Sequence, residues 1–517
     1  MSRVRAFLVC ALALVLSCHD GDRRSSKPAL TVVILIDALR ADHVGGYGDR
    51  KLTPRLDGLS ADATLFENAY STSTWTRPAI ASLFTGTMPT RLGVETKYAA
   101  LPADVPTLGE HWKSAGLLAS GISTNSNAAP LWGFGRGFHE WLVPERVRQH
   151  PDRSGKIPAD VVTDEALKML DRSGLGEGDL LWLHYIDPHD PWFSHDGHVD
   201  DSVGSRTRLH ALDKSVDRNH ATEAALRELY GGEVSFVDRE IGRLLDGLAA
   251  RGLYDEALIV VTSDHGEGLW DHVSRGHGEK PFQEQVLVPL LVRFPNSRGV
   301  ERGGRVRGVS SLLDVLPTVL RGNGIAPDAE LEGFDLLLAA RRGRTEREEA
   351  PFAVNQAGVF YDGRAGVRGK LIRNRAGDAD LVGRRHVTTG ERNLREINFL
   401  YFGAAARRSG SMRRFKTLNA EVLPKDHDPG AIIPAGVSLL VPDVAEDGAS
   451  VEFFDLVADP SEATPLEAPE WGAAMLERDR RRRNEELADR FFGRELNPSE
   501  IDEETARMLA ELGYTDD

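Results

Sequence analysis

The sequence predicts an α/β fold, in which a large, mainly parallel sheet is sandwiched by helices and is followed by a smaller C-terminal α+β domain with an antiparallel sheet. Three apolar runs, each typical of a parallel strand buried on both faces, end at or near Asp37, Asp187 and Asp264. Stretches with the helical spacing of apolar residues separate these runs. Between Ala353 and Val457 the apolar runs become shorter, which favours an antiparallel sheet there.

The first 18 residues have the pattern of an export signal. Basic residues precede an apolar run from Ala6 to Leu16, which is too short to span a bilayer comfortably. The segment Val15-Leu-Ser-Cys18 is similar to a bacterial lipobox, so Cys18 is the expected lipidation site. An ordinary cleaved signal and a stub of anchor helix are the alternatives. We therefore expect an exported protein, lipid-anchored to a bacterial membrane and facing the periplasm or the exterior.

Cysteine usage and net charge limit the possible sites and partners. Cys10 and Cys18, the only cysteines, both lie in the export signal, so the exported body has no disulfide and no zinc–thiolate site. Any metal ion must then be held by Asp, Glu, His, Asn or hydroxyl groups. The formal net charge of -16 argues against a nucleic-acid partner, because phosphate backbones are bound by clustered Lys and Arg. Membrane contact is expected through the lipid anchor only.

A chain of 517 residues is too long for one compact core. We expect a tether over residues 19–29, a catalytic domain over 30–345 and a smaller C-terminal domain over 346–517 that completes the fold. A polar, histidine-rich excursion over 191–220 should lie beside the site, with His195 exposed. Helices are predicted over 107–115, 159–170, 221–248, 310–320 and 503–512, and C-terminal strands over 366–372 and 451–456.

The candidate catalytic and metal-binding residues lie at three strand ends of the catalytic domain. In open α/β sheets the ligand site lies at the carboxyl ends of the strands, so Asp37 and the pair Asp264-His265 are placed for it. One Asp after a strand is commonly a cap of the next turn, but three such ends are hard to explain by caps alone. His184, inside its apolar run, is interpreted as a hydrogen-bonded core histidine.

A helix is predicted to begin close to Thr76, with Pro78 in its first turn and Gly86 at its end. A hydroxyl at this position sits where free N–H groups and the helix dipole favour an anion. The alternative is that Thr76 only caps a core helix.

Five motifs occur along the chain in this order: Val33-Ile-Leu-Ile-Asp37, Thr76-Arg-Pro-Ala-Ile-Ala-Ser-Leu-Phe-Thr-Gly86, Pro188-His189-Asp-Pro191, Ser263-Asp-His-Gly-Glu267 and Val288-Pro-Leu-Leu-Val-Arg-Phe-Pro295. Together they resemble the sulfatase family of the alkaline phosphatase superfamily. The similarity extends through Phe454-Asp-Leu-Val-Ala-Asp-Pro460 and Leu512-Gly-Tyr514, so it covers nearly everything after the tether.

The resemblance implies an alkaline-phosphatase/sulfatase-like fold and one divalent metal ion, either Ca, Mn, Mg or Zn. The implied metal ligands are Asp37, Thr76, Asp264 and His265, with Thr76 as nucleophile and with His189 and His277 near the transferred group. Such a cation would neutralise nonbridging oxygens and lower the pKa of the nucleophile, and an imidazole would protonate the leaving alkoxide. A second metal ion, held by Asp187, His189 and His277, is the alternative.

The sequence departs from the family pattern at the nucleophile. Sulfatases of the usual kind carry Cys or Ser there, which is oxidised to formylglycine, whereas Thr76 has a methyl group on its β-carbon and cannot form that aldehyde. Ile80 replaces the motif's arginine, Ala38 replaces a second aspartate, and Glu279 falls near the usual lysine, with Lys280 adjacent.

Three basic residues are candidates for contacts with an anionic substrate. Arg40 follows Asp37 closely, Arg77 adjoins Thr76, and Lys280 lies beside the family's lysine position. An arginine can bind an anionic oxygen bidentately, although both arginines could instead pair with surface carboxylates.

The predicted function is a sulfatase-family, metal-dependent hydrolase of sulfate or phosphate/phosphonate esters, with Thr76 in place of formylglycine. Threonine favours phosphorus, because sulfate has less charge for a dication to offset. One alternative is a phosphoryl-group transferase of the phosphoethanolamine/glycerophosphate type, and another is a catalytically decayed, glycan-binding surface lipoprotein. The expected partner is an anionic ester, with a glycan or a lipid headgroup as candidates.

Overall fold

The computed structural model describes most of residues 27–345 and parts of the C-terminal region. Gaps fall at 49–50, 96–97, 145–155, 173, 194, 196–219, 273–274, 279–280 and 329, and beyond 345 mainly the strands are described. Cys18 and Lys280, the export signal and the predicted helix over 503–512 lie almost entirely outside the described residues. Their roles stay predictions.

The strands of the catalytic part form one large sheet. Its strands are β1 (Thr31–Ile36), β2 (Thr64–Tyr70), β3 (Ala119–Ile122), β4 (Glu140–Leu142), β5 (Leu180–Tyr185), β6 (Leu258–Thr262), β9 (Leu287–Val288), β10 (Leu290–Arg293) and β11 (Arg305–Ser311). The short strands β7 (Gly268–Leu269) and β8 (Arg275–Gly276) pair with each other as a separate hairpin.

The strand order in the described sheet is β11-β2-β10-β6-β1-β5-β3-β4, with β9 added beside β2. The central strand β1 runs parallel to both β5 and β6, so three predicted strands are neighbours. Antiparallel pairing is confined to β9 and β10, which agrees with the predicted mainly parallel sheet.

Helices cover both faces of this sheet, as predicted. They are α1 (Pro54–Ser60), α2 (Thr76–Thr85), α3 (Pro89–Leu92), α4 (Leu108–Ser114), α5 (Ala159–Arg172), α6 (His220–Ala250), α7 (Gln283–Val286), α8 (Val315–Gly322) and α9 (Leu336–Arg342). Along β1, Val33 and Leu35 enter one hydrophobic core and Val32, Ile34 and Ile36 enter the other. Successive side chains of a strand point to opposite faces, so a continuous apolar run is needed to fill both cores.

Two local predictions need correction. The predicted helix over 310–320 starts later, because Ser310 and Ser311 belong to the edge strand β11, and the α-helix begins at Val315. His195 is buried instead of exposed.

Within the described part of the chain, no helix combines the length and the apolar character needed to cross a bilayer.

The C-terminal region contributes the predicted antiparallel sheet. Four of its strands are paired in the order β12-β13-β14-β19, and all three pairings are antiparallel. The region also contacts the catalytic part, where Glu462 Oε2 accepts a hydrogen bond from the Gln283 N–H at 2.6 Å. Its strands are β12 (Glu349–Pro351), β13 (Gly358–Asp362), β14 (Val367–Arg373), β15 (Gly383–Thr388), β16 (Arg392–Asn393), β17 (Ile432–Ile433), β18 (Ser438–Asp443) and β19 (Val451–Asp455).

Candidate active site

The carboxyl ends of β1 and β6 bring two buried aspartates together. Leu35 of β1 is in register with Thr262 of β6, so Asp37 and Asp264 both lie just beyond the same edge. Ala38, which follows Asp37, has a φ of 57°, and its N–H donates to Asp264 Oδ1 at 3.2 Å. A positive φ is uncommon for a residue with a β-carbon and is held by its surroundings. Here the Tyr230 hydroxyl donates to the Ala38 carbonyl at 2.8 Å and fixes the turn.

Thr76 is the first residue of α2, so the predicted helix start is accurate. Gly86 ends the helix with a φ of 64°, a conformation that glycine adopts without a β-carbon clash. Phe84 anchors α2 to the sheet, with its ring edge-on to Trp182 of β5 at 4.7 Å. The N-cap residue is Trp75, so Thr76 does not hold the capping position. The Thr76 hydroxyl lies 3.3 Å from His265 Nε2, which favours the active-site interpretation over the capping one.

His265 is held in one tautomer by its own loop. Its Nδ1 lies 2.8 Å from the Gly266 carbonyl, to which an Nδ1–H donates, so Nε2 carries the lone pair of the neutral ring. Gly266 has no alternative here, because a β-carbon would come within 2.1 Å of the Glu284 carbonyl oxygen. The glycine of the Ser263–Glu267 motif is therefore required for the close approach of two backbone segments.

Four hydrogen-bond acceptors converge at this point. His265 Nε2 is 3.5 Å from both Asp37 Oδ1 and Asp264 Oδ2, and these two carboxylate oxygens are buried with no hydrogen-bond partner among the described residues. The Thr76 hydroxyl can donate one hydrogen bond within this set, and the two carboxylate oxygens are left for a cation or added protons to satisfy. Carboxylate oxygens, a hydroxyl and one imidazole suit a divalent ion such as Mn, Mg, Ca or Zn. The residues present therefore fit the predicted metal ion.

Asn125 and His184 complete the surroundings of Asp37. Asn125 Nδ2 donates to Asp37 Oδ2 at 2.6 Å and lies 3.4 Å from Thr76 Oγ1. The Asn125 amide is oriented by the Asn127 N–H, which donates to its Oδ1 at 2.8 Å. His184 Nε2 is 3.2 Å from Asp37 Oδ2, so this residue is the buried, hydrogen-bonded histidine that the sequence predicted.

The sequence analysis missed Asn125. It follows β3, a strand of only four residues, and the run Ser123-Thr124-Asn125-Ser126 after it is the same signal of polar residues at a strand end. β3 pairs with β5, which places Asn125 at the same edge as Asp37.

Asn125→Ala is expected to lower kcat by roughly 10- to 100-fold, because it removes the N–H donor that touches both Thr76 and Asp37. Steady-state kinetics with the best substrate measure the loss. Asn68→Ala, which removes only a 3.3 Å hydrogen bond to the Gly308 carbonyl at the sheet edge, is the matched control. Equal activity of the two variants would exclude a role for Asn125 in the reaction.

His189 and His277 lie together beside His265. Their ring centroids are 4.7 Å apart, and the His277 ring is 4.3 Å from that of His265. His277 Nδ1 is 3.2 Å from both carboxylate oxygens of Glu267, a buried residue of the Ser263–Glu267 motif. The structure thus brings both predicted imidazoles to the site and adds Glu267 as the group that orients one of them.

In the metal-free protein the two imidazoles have opposite pKa shifts. Burial lowers the pKa of His189 to about 4, against the opposing charge of Asp37. Burial also acts on His277, but Glu267 outweighs it and raises the pKa of His277 to about 9. Among the carboxyls, burial and Asp37 raise the pKa of Asp264, whereas neighbouring imidazoles overcome burial and lower that of Asp37. Groups with diverging pKa values are typical of acid–base sites.

Comparisons with known proteins identify the family. The sulfatase family model matches residues 29–325, more than half of the chain. The chain belongs to the sulfatase family. It is an ester hydrolase of the alkaline phosphatase superfamily. The family is metal-dependent, and Asp37, Asp264 and His265 form a group that could hold a metal ion.

Individual relatives cover most of this sulfatase-family chain. The ulvan-active sulfatase of Formosa agariphila is 25% identical, over 69% of this chain and 75% of that protein. The choline-sulfatase of Rhizobium meliloti is 24% identical, over 58% and 69% respectively. Among solved structures, the phosphonate monoester hydrolase of Agrobacterium radiobacter has a TM-score of 0.60 at 20% identity and covers 90% of this chain and 96% of its own. These matches confirm the predicted fold.

The two arginines predicted to contact substrate are engaged by protein groups. Arg40 pairs with Asp42 at 2.8 Å and with Asp271 at 2.6 Å, so its guanidinium is committed to carboxylates. Arg77 is buried, stacks on the Trp132 ring at 3.4 Å and donates to Asn127 Oδ1 at 2.9 Å. These contacts favour structural roles for both arginines, and their predicted contacts with substrate stay predictions.

The structure does not bring Asp187 to His189 and His277, as a second metal ion would require. Asp187 Oδ1 accepts a hydrogen bond from the Ala159 N–H at 3.1 Å, and the Asp187 carboxylate lies in one buried cluster with His195 and Glu233. The Lys156 ammonium donates to the Asp187 carbonyl at 2.7 Å and lies 3.8 Å from Glu233 Oε1. The two-metal alternative is therefore wrong for Asp187. This residue belongs to a buried cluster of charged residues that connects the loop after β5 to α6.

Lys156→Met is expected to lower the free energy of unfolding by about 3 kcal/mol, because it leaves Glu233 and Asp187 buried without their cation. Urea unfolding of the metal-free protein measures this loss. Lys168→Met is the matched control. Its ammonium pairs with Glu165 but is 63% exposed, against 4% for Lys156, so we expect a loss of less than about 1 kcal/mol. Equal stability losses in the two variants would contradict the buried-cluster interpretation.

Proposed function

We propose that the chain is a metal-dependent hydrolase of sulfate or phosphate/phosphonate esters, with Thr76 as nucleophile in place of formylglycine. The observation that supports this most is the position of Thr76 Oγ1, 3.3 Å from His265 Nε2 at the point where the unpartnered oxygens of Asp37 and Asp264 converge. A threonine that only capped the helix would not need to lie close to these three side chains.

Asp37, Thr76, Asp264 and His265 would hold the divalent ion. When bound, it lowers the pKa of the attacking hydroxyl and offsets the negative charge of the nonbridging oxygens. Asp37 is left with one oxygen for this purpose, because Asn125 and His184 occupy the other. Thr76 is also at the N-terminus of a ten-residue helix, where the helix dipole favours an anionic oxygen.

The chain's own residues carry the bond changes. The Thr76 hydroxyl gives its proton to solvent, its Oγ1 attacks the phosphorus or sulfur, and the bond from that atom to the leaving oxygen breaks. His277, positioned by Glu267, donates a proton to the leaving oxygen. A water molecule then bonds to the phosphorus or sulfur and gives one proton to the His277 imidazole, while the bond to Thr76 Oγ1 breaks and Oγ1 takes up a proton from solvent.

A reaction that passes through a threonyl ester intermediate favours a phosphate or phosphonate ester as the substrate over a sulfate ester. The formylglycine route releases sulfate by breaking a carbon–oxygen bond of the aldehyde hydrate, and Thr76 cannot form that hydrate. Water must instead attack the central atom, which phosphorus accepts readily. Sulfatases and phosphonate monoester hydrolases both occur among the similar proteins, so both ester classes belong in the test.

The test is turnover of 4-nitrophenyl sulfate, 4-nitrophenyl phosphate, bis(4-nitrophenyl) phosphate and 4-nitrophenyl phenylphosphonate by protein loaded with Mn, Mg, Ca or Zn. Rapid acid quenching and mass spectrometry then locate any adduct. A phosphoryl, phosphonyl or sulfuryl group on Thr76 supports the proposal. Absence of turnover with every ester and metal ion, or an adduct on another residue, would overturn it.

A further inference from the structure

Arg275 is an arginine near the active site whose guanidinium makes no hydrogen bond to another described residue. It is on β8, two residues before His277, opposite Leu269 of β7. Its side chain is 10% exposed, and its Nη2 atom is buried with no hydrogen-bond partner among the described residues. Buried donors in proteins are nearly always paired with a protein group, a water molecule or a ligand, so this donor at the edge of the active site is a candidate for a contact with substrate.

Asp190 provides the complementary group. It directly follows His189, whose Nδ1 is 2.5 Å from the Asp190 carbonyl oxygen. Its Oδ1 is also buried without a partner in the described part of the chain, and its Oδ2 lies 3.7 Å from Arg275 Nη2. This distance is too long for a hydrogen bond. The Arg275 guanidinium and the Asp190 carboxylate thus lie close together without a hydrogen bond between them.

Two tryptophans hold the Arg275 guanidinium in this position. Its central carbon is 5.7 Å from the Trp192 ring centroid and 6.0 Å from that of Trp270. Contacts of this kind stabilise a cation when water is excluded. The arginine is therefore fixed by ring faces, which leaves its N–H groups available for polar recognition.

The charge of the pair limits what it can bind. Arg275 and Asp190 together are neutral, so an added anionic group would be repelled by the carboxylate and an added cationic group by the guanidinium. A hydroxyl both accepts and donates a hydrogen bond, and it can bond to both groups at once. Burial and Glu267 raise the pKa of Asp190 to about 6, which shows that this carboxyl lies close to the active-site charges.

We propose that Arg275 and Asp190 bind a neutral hydroxyl on the leaving alcohol of the ester, and so select substrates whose leaving group is a sugar or another polyol. The pair adjoins His277, the proton donor to the leaving oxygen, so it contacts the leaving group and not the transferred group. Because this role depends on the ester hydrolysis proposed above, the experiment separates the two.

The experiment compares two leaving groups on the same ester. 4-Nitrophenyl sulfate and phosphate present no hydroxyl, whereas glucose 6-sulfate and glucose 6-phosphate present several. Arg275→Met is expected to lower kcat/KM for the glucose ester by roughly 10- to 100-fold, because it removes a hydrogen bond to a charged group. We expect kcat/KM for the 4-nitrophenyl ester to fall by less than about 3-fold, because that ester has no hydroxyl for Arg275 to bind. Asp190→Asn should show the same preference, and the double variant should lose less than the product of the two effects.

Arg227→Met is the matched control. Arg227 supports the same hairpin from α6, with its Nη2 3.0 Å from the Leu269 carbonyl and 3.1 Å from Asp271 Oδ1. It should change kcat/KM for both esters by similar, small factors. Equal losses for both esters in Arg275→Met, or no loss for either, would overturn the inference. So would a wild-type protein that hydrolyses the 4-nitrophenyl ester and not the glucose ester.

If the wild-type protein hydrolyses neither ester, the proposed function fails, and calorimetric binding of glucose 6-sulfate and glucose 6-phosphate tests the pair by itself. Weaker binding in Arg275→Met than in Arg227→Met supports the hydroxyl contact. Identical binding in these two variants, or no binding by the wild-type protein, overturns it.

Discussion

Thr76→Val is expected to lower kcat by at least about 10³-fold with no loss of stability. Valine replaces the hydroxyl by a methyl group of similar size, so α2 and its contacts to the sheet stay in place while the nucleophile is removed. The measurement is kcat with the best ester of the 4-nitrophenyl panel, together with the thermal unfolding midpoint. Intact-mass analysis after acid quenching should no longer detect an adduct.

Two further threonine variants make this result specific. Thr74→Val is the matched control, since Thr74 lies in the same loop, is buried, and its hydroxyl has no hydrogen-bond partner in the described residues. We expect it to keep nearly full activity. Thr76→Ser retains a hydroxyl and should keep measurable activity. If Thr76→Val retained more than about a tenth of the wild-type kcat, Thr76 could not be the nucleophile.

Asp264→Asn is expected to abolish stoichiometric metal binding, and with it the activity. The asparagine Oδ1 can still accept the Ala38 and His265 N–H groups, which lie 3.2 and 3.0 Å from Asp264 Oδ1. Its amide replaces Oδ2, one of the two buried, unpartnered carboxylate oxygens, by a donor that cannot bind a cation. The fold should therefore persist while the metal site is lost.

Metal analysis and chelation provide the measurements. Wild-type protein should carry about one divalent ion per chain, and EDTA should lower its unfolding midpoint, because an ion at 100 times its Kd stabilises the native state by about 2.7 kcal/mol. EDTA should leave the midpoint of Asp264→Asn unchanged. Asp238→Asn is the control, since this buried aspartate accepts the N–H groups of Arg55 and Leu56 at the start of α1. It should keep its metal ion. Metal-free wild-type protein with full activity would refute the metal site.

The parts of the site that could be predicted from the sequence lie where local pattern and topology coincide. Apolar runs that end in acidic residues predicted β1, β5 and β6, and parallel strands place such ends at one edge of a sheet. The start of α2 at Thr76 could be predicted because Pro78 and Gly86 are local signals whose conformational preferences do not depend on the rest of the fold.

Other features depended on which way a side chain points. Asp187 and His189 are two residues apart in the sequence. Asp187 accepts a hydrogen bond from the Ala159 N–H and lies in a cluster with Glu233, whereas His189 lies beside His277. Arg40 follows Asp37 closely but turns to Asp42 and Asp271. Sequence proximity to a strand end does not determine these directions, because each is chosen by partners far away in the chain.

The sequence by itself determined the α/β fold, the strand ends that carry Asp37 and Asp264, and the helix that begins at Thr76, because hydrophobic period and turn chemistry are local properties. Only the tertiary structure decided that Asn125 donates to Asp37 and that Glu267 orients His277. It also decided that the Arg275 and Asp190 side chains meet without bonding to each other. These contacts depend on ångström-scale distances between residues that are far apart in the chain, and no periodicity in the sequence encodes such distances.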